Sequence, residues 1–275
     1  MSVRRKCADE ILLALRELGP STIELLALVT EIPKKDLRQS IGILKRKGIV
    51  DMLVGGDHLF FYQINQSKPA REEAARVLGS SADKFIRPLL RRQDRYHDQW
   101  CEFWSWKLRR AFPQIEIVRE FQIHSNEIAA NVLQLRQVDY ELMPDFLMFL
   151  PSDKGGRVTI AFEIERTRKS EKRLLRKFKR YMEETRIDGL VYVCDSGRLS
   201  ETIRTLYETK LLEQSTRIRH YAENFFLFSD SLTGGTRPLE SFFNSNAKPT
   251  SILSWCDTLC TTSRTARRDA YFKHA

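Results

Sequence analysis

Apolar residues at Ile11, Leu12, Leu15 and Leu18 keep the three-to-four spacing of one helix face and stop at Gly19-Pro20, which predicts a helix over 9–18. Ser21 stands where it would cap a second, short helix over 22–29, and a third runs from Lys34 through Leu37, Ile41 and Leu44 to Lys47-Gly48. The period then drops to two. Residues 49–54 and 58–64 flank Gly55-Gly56-Asp57 and predict a hairpin. Pro69 and the charged run Arg71-Glu72-Glu73 make 67–83 read as a linker with a short helix. Trp100, Phe103, Trp104 and Leu108 line one face of a long helix over 97–112, and 115–123 reads as a strand with Glu116, Arg119 and Gln122 on its polar side. The stretch 125–141 carries no clear period.

The sharpest pattern lies between Met143 and Glu165. Two runs rich in Phe, Leu, Ile and Val flank Ser152-Asp153-Lys154-Gly155-Gly156, so Asp145 begins one strand while Glu163 and Glu165 close its antiparallel partner. Alternation points Glu163 and Glu165 to one face and Ile164 to the other. Acids on an otherwise apolar strand resist desolvation and call for a compensating cation, a lysine or a hard divalent metal. A basic helix carrying Lys172, Arg173, Arg176, Lys177, Lys179 and Arg180 follows and ends near Arg186, then the apolar run 190–194, giving a strand-helix-strand crossover. A helix over 200–214 and a strand over 224–228 complete a mixed sheet. Beyond Gly234-Gly235 the periodicity weakens, and the end with Arg264, Arg267 and Arg268 reads as a loosely packed, phosphate-gripping tail.

Composition narrows the partners. The 275 residues carry a formal net charge of +10, which favours a polyanion because clustered Lys and Arg release counterions from phosphates. Five cysteines without CxxC spacing argue against a disulfide framework and a zinc site, and fit a reducing cytoplasm. Neither a signal peptide nor an apolar run of membrane-spanning length is expected, so no membrane partner is implied. The expected domains are 1–66, a linker at 67–83, a mixed-sheet domain at 84–232 and the tail at 233–275.

Three helices and a Gly-Gly hairpin resemble a winged helix-turn-helix. Its third helix carries Lys34, Lys35, Arg38, Gln39, Lys45 and Arg46 outside the Ile/Leu stripe, a face suited to a DNA major groove. Further on, the succession of helix, strand, Pro144-Asp145 strand, Glu163-Ile164-Glu165 strand, basic helix and strand resembles the PD-(D/E)XK nuclease fold, an α/β mixed-sheet core, over about 80–228. One position departs from that pattern: Glu165 stands where the family has its lysine, and Lys169 and Lys177 are the nearest replacements. A winged helix ahead of such a core, with the run from Glu163 to Ser170 and a helix opening at Tyr96-His97, resembles the MOBC relaxases of mobilisable plasmids and the related replication-relaxation proteins.

That resemblance implies a metal-dependent DNA nickase acting on one strand of supercoiled plasmid DNA at an origin of transfer, with an accessory mobilisation protein and a coupling protein as partners. Asp145 and Glu163, with the Ile164 carbonyl, would hold Mg²⁺ or Mn²⁺, and Glu165 would add a ligand or orient the nucleophile. Lys169 would offset developing charge, whereas Lys177 is expected two helical turns too far away. Glu102 and His97 are further candidates. The attacking group is water or a tyrosine, Tyr140 or Tyr181. Three other readings stay open: a salt-bridge cluster of acids and arginines without catalysis, a non-catalytic DNA-binding initiator or repressor, and a restriction-type endonuclease cutting both strands.

Overall fold

The computed structural model describes residues 3–55, 58–85, 95–123, 126, 129, 143–153, 155–183, 187–209, 225–234, 237–244 and 247–261. The chain divides into two compact units, Met1–Leu108 and Arg109–Ala275.

In the first unit, α1 (Val3–Leu18), α2 (Ile23–Thr30) and α3 (Lys34–Arg46) bring Ile11, Leu12, Leu15, Leu26, Leu37, Ile41 and Leu44 into one core. Thr22, not Ser21, caps α2: its hydroxyl accepts the Leu25 N–H at 3.3 Å. Ser21 is taken up instead by a backbone pair with Tyr62, its N–H donating at 2.9 Å and its carbonyl accepting at 2.8 Å. Strands β1 (Val50–Val54) and β2 (Phe60–Ile64) form an antiparallel ribbon with Met52 opposite Tyr62 and Val54 opposite Phe60. The stretch expected as a linker is core. Helix α4 (Lys68–Leu78) and a 3₁₀ turn, Ala82–Phe85, contribute Ala74, Ala75 and Phe85 to it. Alanines pack closely without a bulky apolar stripe, so this face is faint in the sequence. Helix α5 (Arg95–Ala111) is tied back to α2 where the Gln99 side-chain Oε1 accepts the Thr22 N–H at 3.1 Å. The basic positions Arg87, Arg91 and Arg92 lie outside the described residues.

The second unit is α/β, built on a mixed seven-stranded sheet with strands in sequence order: β3 (Glu116–Arg119), β4 (Phe146–Pro151), β5 (Arg157–Glu165), β6 (Gly189–Cys194), β7 (Phe226–Ser229), β8 (Phe242–Asn244) and β9 (Pro249–Thr250). The central β5–β6–β7 contacts are parallel and the flanking ones antiparallel. Gly155 and Gly156, at φ 82° and 79°, turn the chain between β4 and β5 in a conformation that side chains disfavour. Strand β3 is shorter than its sequence pattern. A single helical turn, α6 (Glu120–Ile123), replaces its second half because the Gln122 side chain accepts the Arg119 N–H at 3.1 Å and the Asp145 carbonyl accepts the Glu120 N–H at 3.0 Å. Arg119, expected on a polar face, is buried with its guanidinium 5.8 Å from the Phe146 ring centre.

Helices α7 (Glu171–Glu183) and α8 (Gly197–Tyr207) cover one sheet face, where Leu174, Phe178, Tyr181, Leu199, Ile203 and Tyr207 meet Leu147, Phe149, Ala161, Leu190, Tyr192 and Phe226. The expected tail is part of this unit as well. Beyond β8 and β9, helix α9 (Ile252–Thr261) buries Ile252, Trp255, Cys256 and Leu259 and sets the Trp255 ring against Gly189. Its apolar residues are spread thinly over short elements, which hides their period. Arg264, Arg267 and Arg268 lie outside the described residues, as do 125, 127–128, 130–141 and the end of the helix expected to reach 214. No helix among the described residues is long and apolar enough to cross a membrane.

Candidate functional site

The register of β4, β5 and β6 gathers the acids. Phe146 pairs with Phe162 antiparallel, so Asp145 faces Glu163 at the next step, and Glu163 pairs in parallel with Tyr192 and Glu165 with Cys194. All share the sheet face beneath α7, while Ile164 is buried on the other side. The group lies at the carboxyl end of β5, where open α/β sheets place their ligand crevices. Asp145 is fixed from both ends: its N–H donates to the Phe162 carbonyl at 3.0 Å, and its Oδ2 accepts the Ile164 N–H at 2.6 Å.

Glu163 is 2% exposed, and each of its oxygens has a partner. Oε1 accepts the Tyr181 hydroxyl at 2.5 Å, and Oε2 pairs with Lys177 Nζ at 2.5 Å. Burial pushes the Glu163 carboxyl above the ordinary carboxylate range, with Lys177 opposing that rise and Asp145 adding to it. The sequence expectation for Lys177 is corrected here. Helix α7 runs back across the sheet, and Leu174, Lys177, Phe178 and Tyr181 recur on its buried stripe, so two turns along the helix bring the lysine over Glu163 rather than away from it. Lys169 reaches Glu165, Nζ to Oε2 at 2.7 Å. Burial works to lower the Lys169 pKa, but the charges of Glu163 and Glu165 outweigh it and leave the ammonium above its usual value.

Two tyrosines close the base of the cluster. Tyr181 is held well above its usual pKa by burial and by the Glu163 carboxylate it donates to. Tyr192 is raised by burial and by Glu163 and Glu165, and its hydroxyl has no hydrogen-bond partner among the described residues. Sequence reasoning missed Tyr192 because only the parallel register sets it beside Glu163. The signal for Tyr181 was its place four residues after Lys177 on the same helical stripe.

The donor set is all carboxylate oxygen, the chemistry of a hard divalent ion, and the buried, unpartnered Tyr192 hydroxyl beside it adds a polar atom that an apolar core would exclude. Asp145, Glu163 and Glu165 are donors of the type such an ion takes, with the Glu163 oxygens engaged by Tyr181 and Lys177 and Glu165 by Lys169. His97 and Glu102 belong to the first unit, on α5; His97 Nδ1 stands 3.6 Å from Cys101 Sγ and 3.7 Å from Asp98 Oδ1. Tyr140 lies outside the described residues.

On the outer side of α7, Lys172, Arg173, Arg176, Lys179 and Arg180 are exposed. In the first unit, α3 exposes Lys34, Lys35, Arg38, Gln39, Lys45 and Arg46 while burying Leu37, Ile41 and Leu44, and Lys34 also pairs with Glu24 at 3.3 Å. No family model, curated protein or solved structure matches this chain.

Proposed function

We propose that this chain is a DNA-directed, metal-dependent phosphodiesterase that nicks one strand of supercoiled plasmid DNA at an origin of transfer, a relaxase with a winged-helix reader and a PD-(D/E)XK-like core. The observation that carries the reading is the pairing of Glu163 with Lys177 and Tyr181 beside Asp145, Glu165 and Lys169 at the end of β5. Asp145, Glu163 and Glu165 would hold Mg²⁺ or Mn²⁺, which would supply charge compensation at the scissile phosphate and activation of a water. Lys169, half-buried at the rim, presents its ammonium to the phosphate oxygens. Lys177 and Tyr181 fix the Glu163 carboxylate from beneath.

Tyr181 is fully buried and donates a hydrogen bond to Glu163, so the phenol serves as an anchor, and a water attacks phosphorus, its oxygen joining the phosphate and a proton going to the leaving ester oxygen as the P–O bond breaks. The exposed cations of α7 take the DNA backbone, and α3 reads the duplex with Arg38 and Gln39. An accessory mobilisation protein and a coupling protein are the partners such a nick requires, and the cytoplasm is where plasmid and protein meet.

The test uses supercoiled plasmid carrying the transfer origin, with Mg²⁺ or Mn²⁺ and either wild type or Glu163→Ala. Open circles appearing only with metal and with Glu163 are expected. Linear product would favour a restriction-type enzyme. Supercoiled plasmid in every lane, with gel shifts retained, would leave a non-catalytic initiator or repressor whose acids and lysines are a structural cluster.

A further inference from the structure

We infer that the β1–β2 ribbon is a stacking platform for unpaired DNA bases, so that the first unit grips single-stranded DNA as well as duplex. The cross-strand register puts Val50, Met52 and Val54 on one face with Ile64, Tyr62 and Phe60. At the base of the ribbon this face enters the core, with Val50 and Ile64 buried and Tyr62 packed against them. Towards the tip it is uncovered: Met52 is 41% exposed, Val54 56% and Phe60 53%. These three are half of the large hydrophobics exposed among the described residues, gathered on one short ribbon.

Charge selects the occupant. Lys45 at the end of α3 lays its Nζ 3.6 Å from Met52 Sδ, and Lys47 follows it, exposed. Arg95 donates to the Val54 carbonyl at 2.8 Å, which brings a guanidinium to the ribbon edge. An aromatic and aliphatic surface bordered by cations matches a strand whose bases stack while its phosphates track the rim. An apolar protein partner has no use for that rim, and intact duplex hides the faces of its bases. The inference rests on the reading of this unit as DNA-directed, and adds that unpaired bases stack on the exposed end of the ribbon at Phe60.

The experiment measures fluorescence anisotropy of a fluorescein-labelled single strand of about 20 nucleotides, and of the matching duplex, with the full chain at fixed salt. Phe60→Ala is expected to weaken single-strand binding about five- to a hundredfold, Phe60→Trp to retain it, and both to leave duplex affinity within about twofold. Thermal unfolding of the two variants, expected to match wild type because the ring is half exposed, guards against misfolding. Equal loss on both probes, or none on the single strand while duplex still binds, overturns the platform and leaves the duplex reading standing. Absence of binding to either probe overturns both. A dimer in sedimentation that dissociates on Phe60→Ala also overturns it, since a second copy would then be the occupant.

Discussion

At Glu163 two demands meet. A carboxylate taken out of water costs several kcal/mol unless it is paired, and here burial and the nearby Asp145 favour protonation of Glu163 while Lys177 opposes it. Lys177→Met removes the cation and leaves Glu163 buried beside Asp145. We expect it to lower stability by about 3 kcal/mol in urea unfolding at neutral pH. Adding Glu163→Gln, which removes the stranded charge, should recover most of that loss. If Lys177→Met costs the same with either residue at 163, the two side chains are not energetically coupled and the site has another organiser.

Between elements, packing depends on details that hydrophobic periodicity does not encode. Gly189 opens β6, and a Cβ built there would lie 2.3 Å from Trp255 Cη2 and 2.7 Å from Cζ2. Gly189→Ala must push the indole aside, and we expect a loss of about 1–3 kcal/mol in chemical denaturation. Trp255→Leu in the same chain should return part of it by freeing the space, whereas an additive double variant would show that α9 does not sit on the strand. The carboxylate hairpin, α7 and the parallel β5–β6 pair were legible because each repeats bulky residues at the right period and is bounded by Gly or Pro. The contribution of α9 was not, because Trp255 and Leu259 matter through contact with a glycine distant in sequence. Nor was the burial of α4, which rests on alanines. The acids were legible as a group from strand alternation alone, but the choice between Lys169 and Lys177 as partner of Glu163 depended on the path of α7 over the sheet, a tertiary property.

Over the whole molecule, the ionisable groups sealed in the second unit make the fold sensitive to alkali. Burial, the largest cause for each, holds the thiols of Cys194 and Cys256 and the phenols of Tyr181 and Tyr192 above their usual pKa values. A group whose folded pKa is raised contributes stability that is complete below its unfolded pKa and is lost as pH rises through the folded one. Unfolded thiols titrate near about 8.5 and phenols near about 10. Stability should therefore hold level up to about pH 8 and then fall by about 1.4 kcal/mol per pH unit for each group already ionised in the unfolded chain but still protonated in the folded one. The two thiols act first and the tyrosines next. Urea midpoints measured between about pH 7.5 and 10.5 would show this. Replacing both Cys194 and Cys256 by Ala should flatten the first part of the decline and leave the tyrosine part, a pattern that general charge repulsion in a chain of net charge +10 cannot produce, since raising the pH brings that charge towards zero and relieves the repulsion. A decline that begins at the same pH and slope without the two thiols would mean that Cys194 and Cys256 ionise as readily in the fold as outside it, and that α9 and β6 leave them open to water.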